Sequence, residues 1–277
     1  MQSLSVFVTT YNNADTLDAC LTSVAFADEV LVLDSFSTDA TPEICDRHGV
    51  RFVQHAFLGY GRQKQLALEH TVHEWVLFLD ADEMVSEALA GEINALRASA
   101  SLGAAKMCGY TMPRNEQVFW RMSSAYTRKN AYLRLFYREV GHFDDMPVHA
   151  TVRVNGKVGA LRGQFFHFGE TDIHAKVAKV NAYSTGLVKD KLRKKQRASP
   201  WVMMLYPPLF FVRSFFFKRG FSNGWAGFIA SVVGSFYVFM KYAKLYEQAC
   251  FERDGARHMP DGAPAMRSPM ERYDQPV

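Results

Sequence analysis

The sequence predicts an α/β fold: a parallel sheet covered by helices on both faces. Three observations predict it. Short apolar, β-branched runs alternate with segments of helical spacing through roughly the first hundred residues. The apolar runs are continuous rather than alternating with polar residues, as strands buried on both faces require. Polar clusters stand where these runs end, and ligands of such sheets bind at the carboxyl ends of the strands.

The elements follow in order. "LSVFVTT" (4–10) is the first strand. "DTLDACLTSV" (15–24) has Leu17, Cys20, Leu21 and Val24 at helical spacing. "EVLVLD" (29–34) is the second strand. Thr41 followed by Pro42 and Glu43 marks a helix start. "VRFVQ" (50–54) is a third strand, "GRQKQLALEH" (61–70) a helix, "WVLFL" (75–79) a fourth strand, and "SEALAGEINALR" (86–97) a helix. Beyond residue 100, strand-like runs occur at 109–113, 131–137 and 151–154, and 172–196 reads as a polar helix.

A chain of 277 residues can bury a sizeable core. Its net charge of +4 does not suggest a nucleic-acid partner and suits an anionic ligand or membrane surface. Cys20, Cys45, Cys108 and Cys250 lie far apart with no C-x-x-C pair, so neither a zinc site nor a disulfide framework is indicated. The opening "MQSLSVFVTT" has no basic start and no long apolar stretch, so no export signal is expected.

Three strand ends carry polar groups: Thr9-Thr10-Tyr11-Asn12, Asp34-Ser35 and Asp80-Ala81-Asp82. In "WVLFLDADE" a core strand runs directly into Asp80, Asp82 and Glu83. Two carboxylates one residue apart in a turn can converge on Mg²⁺ or Mn²⁺, which prefer oxygen ligands and share them with substrate phosphates. Such an ion can neutralise a diphosphate leaving group. Taken alone, the pair could equally be an acidic turn capping the next helix, since a D-x-D is expected about once by chance in a chain of this length. Likewise "LDSFSTDAT" (33–41) offers Asp34 and Asp39 to a base or ribose, or is a loop capping a helix. No G-x-G-x-x-G or G-x-x-x-x-G-K-[ST] run lies near the first strand, which argues against a dinucleotide enzyme or a P-loop ATPase. Phosphates would then be held by a metal and basic side chains.

Together "VTTYNNADTLDACLTSV", "ADEVLVLDSFSTDAT", "GYGRQKQLAL" and "WVLFLDADE", in that order and spacing, resemble the family 2 glycosyltransferases. The later "LRLFYRE", "VHATVRVNGKVGAL" and "GFSNGWAGF…YVFMKYAKLYE" resemble the branch that includes lipopolysaccharide core glycosyltransferases, extending the likeness to about residue 247. The resemblance implies a GT-A fold, with a Rossmann-like mixed sheet flanked by helices. It also implies a nucleotide-sugar donor, a divalent cation (Mg²⁺ or Mn²⁺) and inversion at the anomeric carbon. By motif position, Thr10 and Tyr11 would lie by the nucleotide, Asp34 would contact the base, and Asp39 would support the same pocket. Arg62 and Lys64 would approach the donor, Asp80 would face the ribose or metal, and Asp82 would bind the metal. His167, in "FFHFGE", would suit a further metal ligand, although a histidine beside two phenylalanines is more often packed in a core.

One departure stands out. The lipopolysaccharide branch commonly has His-Glu where this chain has His149-Ala150, and that acid resembles the general base of other family 2 enzymes. Ala150 cannot take a proton. Asp145, Asp144 and His149 are the replacements that sequence proximity offers, with a solvated turn as the alternative for the Asp pair. A nucleotide-sugar binder without catalysis, and a nucleotidyltransferase, are the rival functions. The latter normally needs a basic glycine-rich loop that "VTTYNNADT" lacks.

The rest of the chain points to a membrane. "KDKLRKKQR" (189–197) sets six basic residues against one acid. "PWVMMLYPPLFFVRSFFF" (200–217) is apolar and broken by Pro207, Pro208 and Arg213, and "GWAGFIASVVGSFYVFM" (224–240) holds 17 residues without charge. This is short for a span and suits interfacial attachment to anionic lipid, or else a buried hairpin covering the sheet. The expected organisation is a glycosyltransferase domain over 1–188, a basic and apolar helical membrane-associating region over 189–250, and a disordered tail over 251–277. The expected place is the cytoplasmic face of the inner membrane, peripheral or monotopic. The expected acceptor is lipid-linked or of lipopolysaccharide type.

Overall fold

The computed structural model describes residues 1–144, 151–169, 171–194, 196, 199–254 and 268–269. It divides into two compact units, one of Met1–Gln117 with Lys129–Gly169 and the other of Val118–Arg128 with Glu170–Val277.

The first unit begins as expected. Strands β1 (Leu4–Thr10), β2 (Glu29–Asp34), β3 (Arg51–Gln54) and β4 (Trp75–Asp80) alternate with helices α1 (Ala14–Ser23), α2 (Thr41–His48) and α3 (Tyr60–His70). The strands are parallel, in the order β3-β2-β1-β4. Gly49, at φ 61°, ends α2 in the left-handed conformation that glycine adopts without strain. Ser86 caps α4 (Glu87–Ala98), its hydroxyl accepting from the Leu89 N–H at 3.2 Å.

Side chains of β1 alternate between two cores. Val6 and Val8 pack with Leu17, Leu21 and Ile93 on one face. Phe7 packs with Leu31, Ala67 and Phe78 on the other. Both faces are covered, which is why the strands read as unbroken apolar runs.

Beyond β4 the sheet is mixed rather than parallel. A short strand β5 (Glu83–Val85) precedes α4, followed by β6 (Met107–Val118), with β7 (Arg121–Met122) in the other unit. Strand β8 (Ala131–Tyr137) then pairs antiparallel with both β4 and β6. A small antiparallel pair, β9 (Gly141–Phe143) and β10 (Val152–Val154), stands apart from the main sheet. Strands β11 (Lys157–Ala160) and β12 (Phe165–His167) join β6 in parallel, and β12 also pairs antiparallel with β5.

The second unit is helical. Helix α5 (Ile173–Arg193) packs on α7 (Gly224–Asp254), as does α6 (Pro200–Val212). The change in composition near Lys189 therefore falls inside α5 rather than between packing units. The buried Lys244 ammonium joins α7 to α5, donating to the Asn181 carbonyl (2.8 Å), Ser184 Oγ (2.9 Å) and Thr185 Oγ1 (2.7 Å). Helix α6 has no buried residue. A single π-helical turn (Arg213–Phe217) and a 3₁₀ turn (Gly220–Asn223) lead into α7. There Asn223 accepts from the Ser124 N–H at 2.6 Å and donates to Thr127 Oγ1 at 2.9 Å.

Candidate active site

The register of the parallel strands sets five polar side chains at one edge. Thr10 is level with Asp34, Asp34 with Gln54, and Thr9 with Asp80. The loops beyond are tied together: the Asn12 N–H donates to Ser37 Oγ, and Asn12 Oδ1 accepts from the Thr38 N–H, each at 2.8 Å. Asn12 (φ 51°) and Phe36 (φ 63°) both hold positive φ, which non-glycine residues rarely adopt. Each of the two loops that flank the strand ends thus carries one strained residue.

Asp34 is fully buried, with Oδ2 accepting from the Ser37 N–H and the Gln54 amide, each at 2.9 Å. Its oxygens are taken up by the protein. Asp39 accepts from the Ala14 N–H (2.9 Å) and the Thr41 N–H (3.1 Å), so one carboxylate holds the starts of α1 and α2. Tyr11 is exposed, whereas Thr10 is buried and its hydroxyl has no hydrogen-bond partner among the described residues. On α3, Lys64 is buried and Arg62 is exposed, as a two-residue offset on a helix requires.

The Asp80–Glu83 turn is held from below. Lys64 Nζ lies 2.6 Å from Asp80 Oδ1, and an Arg134 guanidinium nitrogen lies 3.6 Å from Asp80 Oδ2. Burial alone would raise the Asp80 carboxyl, but these two cations outweigh it and hold the group well below the usual carboxylate range. Glu83 points inward and is fully buried. It receives Arg134 at 2.6 Å on Oε1 and the Asp80 N–H at 3.0 Å on Oε2. Burial pushes the Glu83 carboxyl up to about 7, against the pull of Arg134. The three carboxylates after β4 thus divide, with Glu83 closing the turn and Asp80 and Asp82 left part-exposed.

Arg134 is the residue that sequence reasoning missed. Its guanidinium stacks on Phe78 (4.2 Å to the ring centroid) and faces Phe165 (5.1 Å). Nε and one terminal nitrogen have no hydrogen-bond partner among the described residues. A charge inside the strand-like "AYLRLFY" was the signal for it.

His167 ends β12, opposite Glu116 of β6 on one side and Glu83 of β5 on the other. Its Nδ1 is 2.7 Å from Glu116 Oε2, and its Nε2 is 3.3 Å from Asp82 Oδ2. Arg114 in turn holds Glu116 at 2.6 Å. Burial would lower the imidazole, but hydrogen bonds to Asp82 and Glu116 and their charges raise it to about 10. The residue is therefore polar-bonded rather than simply packed among phenylalanines.

This donor set fits a divalent cation held in part by its substrate. Glu116 fixes Nδ1 and turns Nε2 toward the Asp82 carboxylate, as outer carboxylates do for ligating histidines. No group of three or more His, Cys, Asp or Glu side chains gathers as a metal cage among the described residues. An ion here would need further oxygens from a diphosphate or water.

Asp144 Oδ2 is held by Arg153 of β10 at 2.7 Å. Asp145, His149 and Ala150 fall outside the described residues.

Comparison with known proteins agrees with the geometry. The Glycosyl transferase family 2 model matches residues 5–153. An uncharacterized glycosyltransferase of Rickettsia felis is 31% identical over 257 residues, covering 89% of this chain and 90% of its own. The lipopolysaccharide core biosynthesis glycosyltransferase LpsC of Rhizobium meliloti is 28% identical over 253 residues, covering 88% and 92%. Among solved structures, S. aureus TarS 1–349 aligns with a TM-score of 0.45 at 14% identity, over 88% of this chain and 92% of that one. With its mixed sheet of GT-A type and a family match over more than half its length, the chain belongs to glycosyltransferase family 2.

Proposed function

We propose that this protein is an inverting, metal-dependent glycosyltransferase that moves a sugar from a nucleotide-sugar donor to a lipid-linked or lipopolysaccharide-type acceptor. The observation that carries the reading is the Asp80-x-Asp82 turn at the carboxyl end of β4, with Lys64, Arg134 and His167 around it. LpsC, matched along most of both chains, supports a cell-envelope glycan as acceptor.

Asp82 and His167 would hold Mg²⁺ or Mn²⁺, with Asp80 facing the same ion or the ribose. The imidazole nitrogen favours Mn²⁺ over the harder Mg²⁺. When bound, the ion neutralises charge on the departing diphosphate. Lys64 is placed to exchange its contact with Asp80 for a phosphate oxygen, which puts a second positive charge on the leaving group. Asp34 and Asp39 shape the nucleotide pocket by fixing the loops after β1 and β2, with Thr10 and Tyr11 beside it. An acceptor hydroxyl attacking in line must lose a proton, and Asp145 or His149 remains the candidate base, because Asp144 is committed to Arg153.

The second unit would attach the enzyme to the cytoplasmic face of the inner membrane. Helix α6 buries none of its residues, and Trp201, Met204, Leu209, Phe217 and Trp225 are exposed. Solvated apolar area of this kind marks a contact surface. Helix α7 belongs to a stretch, Gly220–Asp254, long and apolar enough to cross a bilayer by composition. Its uncharged run, residues 224–240, is only 17 residues long, which favours lying on the membrane over crossing it.

The test is transfer and hydrolysis with a panel of nucleotide sugars, with Mn²⁺ and with chelator. Metal-dependent release of the nucleotide supports the reading. Binding of a donor without turnover by wild type, together with turnover by Ala150→Glu, would establish the non-catalytic binder instead.

A further inference from the structure

The second unit carries a group of polar side chains that donor chemistry does not use. Lys241 of α7 lies over three tyrosine rings: Tyr242 at 5.0 Å, Tyr206 of α6 at 5.3 Å and Tyr237 at 6.0 Å from the centroids. Lys191 of α5 lies over the same Tyr242 ring at 4.8 Å. Two ammonium groups thus share one ring, and no described carboxylate pairs with either. Lys191 donates to Gln196 Oε1 at 2.8 Å, whereas among the described residues Lys241 meets the rings alone. Burial, and then the nearby Lys191 charge, lower the Lys241 ammonium from its ordinary value. A half-buried cation beside a like charge would normally be avoided or neutralised.

The surroundings indicate what neutralises it. Lys241 ends the 17-residue uncharged stretch 224–240, and Tyr206 lies on the apolar α6 between exposed Leu205 and Leu209. Tyrosine and lysine beside a solvated apolar face are the side chains found at headgroup level, where apolar bodies meet lipid and polar tips meet phosphate. Aromatic faces hold the cations in place at low entropic cost until an anion arrives.

We propose that Lys191 and Lys241, set among Tyr206, Tyr237 and Tyr242, form a binding site for the phosphate headgroup of an anionic bilayer lipid. The site rests on the membrane attachment proposed above and adds to it a fixed depth: lipid phosphates lie level with Lys241, and α6 and the uncharged part of α7 meet the acyl boundary. It also separates this pair from the rest of the basic run, which would act only as diffuse charge.

The test compares removal of equal charge at two places. Full-length protein is titrated with vesicles of phosphatidylcholine containing phosphatidylglycerol, and with phosphatidylcholine alone, by co-sedimentation. A lysine acting only as surface charge contributes about 1 kcal/mol, roughly fivefold. Lys194→Gln should weaken binding to the anionic vesicles by no more than that. Lys241→Gln should weaken it at least tenfold, Lys241→Arg should retain it, and far-ultraviolet circular dichroism should be unchanged in each. Equal losses for Lys241→Gln and Lys194→Gln would overturn the site while leaving membrane attachment intact. If wild type binds neither vesicle, the attachment reading fails, and the site with it. Competition by free inorganic phosphate at millimolar concentration, without vesicle preference, would show a soluble-anion site and overturn the lipid assignment.

Discussion

The strand-end site and the α6–α7 hairpin break the usual rule of burial in opposite directions. At the first, charge is inside: Glu83 and Arg134 are buried, and Lys64 nearly so. At the second, apolar bulk is outside: Trp201, Leu209 and Trp225 are all more than 60% exposed. Burying charge costs several kcal/mol per ion unless it is well paired, and exposing a large apolar side chain forgoes about 1.5–3 kcal/mol. Stability alone would select neither arrangement. The proposed function gives each arrangement a partner. The site presents part-exposed carboxylates on a rigid charged base suited to an ion and a diphosphate. The hairpin presents an unsatisfied surface suited to lipid.

The comparison can be broken first at the buried pair. Arg134→Met leaves Glu83 only the more distant Arg114, at 3.8 Å, and should destabilise the fold by about 3 kcal/mol in urea unfolding. Adding Glu83→Leu should restore much of that loss, since an apolar pair can replace a buried ion pair. If Arg134→Met unfolds like wild type, the pair does not hold the turn.

Asp82→Asn should behave differently. It lies at the part-exposed rim, so the fold should persist with a loss of stability confined to the His167 contact, while metal-dependent sugar transfer falls on the order of a hundredfold or more. On the hairpin side, Trp201→Ser with Leu209→Ser should leave turnover of soluble donor unchanged and reduce vesicle binding by about tenfold or more. A loss of turnover with intact vesicle binding would reverse the roles assigned to the two regions.

A further effect concerns protons. His167 is raised from an ordinary value near 6.5 to about 10 in the folded chain. Its contribution to the stability of chelated protein is therefore complete below about pH 6.5 and is lost as pH rises through 10. Thermal unfolding in chelator should show that decline, and His167→Gln should flatten it. Identical pH profiles for the two proteins would remove the Asp82–His167–Glu116 link.

Much of the site was legible because it sits on strands that follow one another. Asp34 and Asp80 end β2 and β4, and parallel register alone brings them to one edge. What was hidden depends on pairings distant in the chain. Arg134 reaches Asp80 and Glu83 only because β8 runs antiparallel beside β4, and His167 meets Glu116 only because β12 lies along β6. A sequence without its register shows a charge in a strand but not its partner. Asp34 illustrates the converse: its position was readable, but not that Ser37 and Gln54 take up its oxygens. In the second unit composition located the apolar surface, whereas the polar α5 joins that unit through a buried lysine no pattern announces.

The central claim is that the turn after β4 binds a divalent ion together with a nucleoside diphosphate. The most direct measurement is calorimetric titration of full-length protein with UDP, GDP, CDP and ADP in turn, in Mn²⁺ and again in chelator, for wild type and Asp82→Asn. The account predicts that at least one diphosphate binds wild type in Mn²⁺ and is weakened at least tenfold by chelator. In Asp82→Asn the two conditions should give nearly the same weak affinity, with an unchanged far-ultraviolet circular dichroism spectrum. Binding of equal strength with and without metal, or an Asp82→Asn variant that keeps the full metal effect, would contradict it.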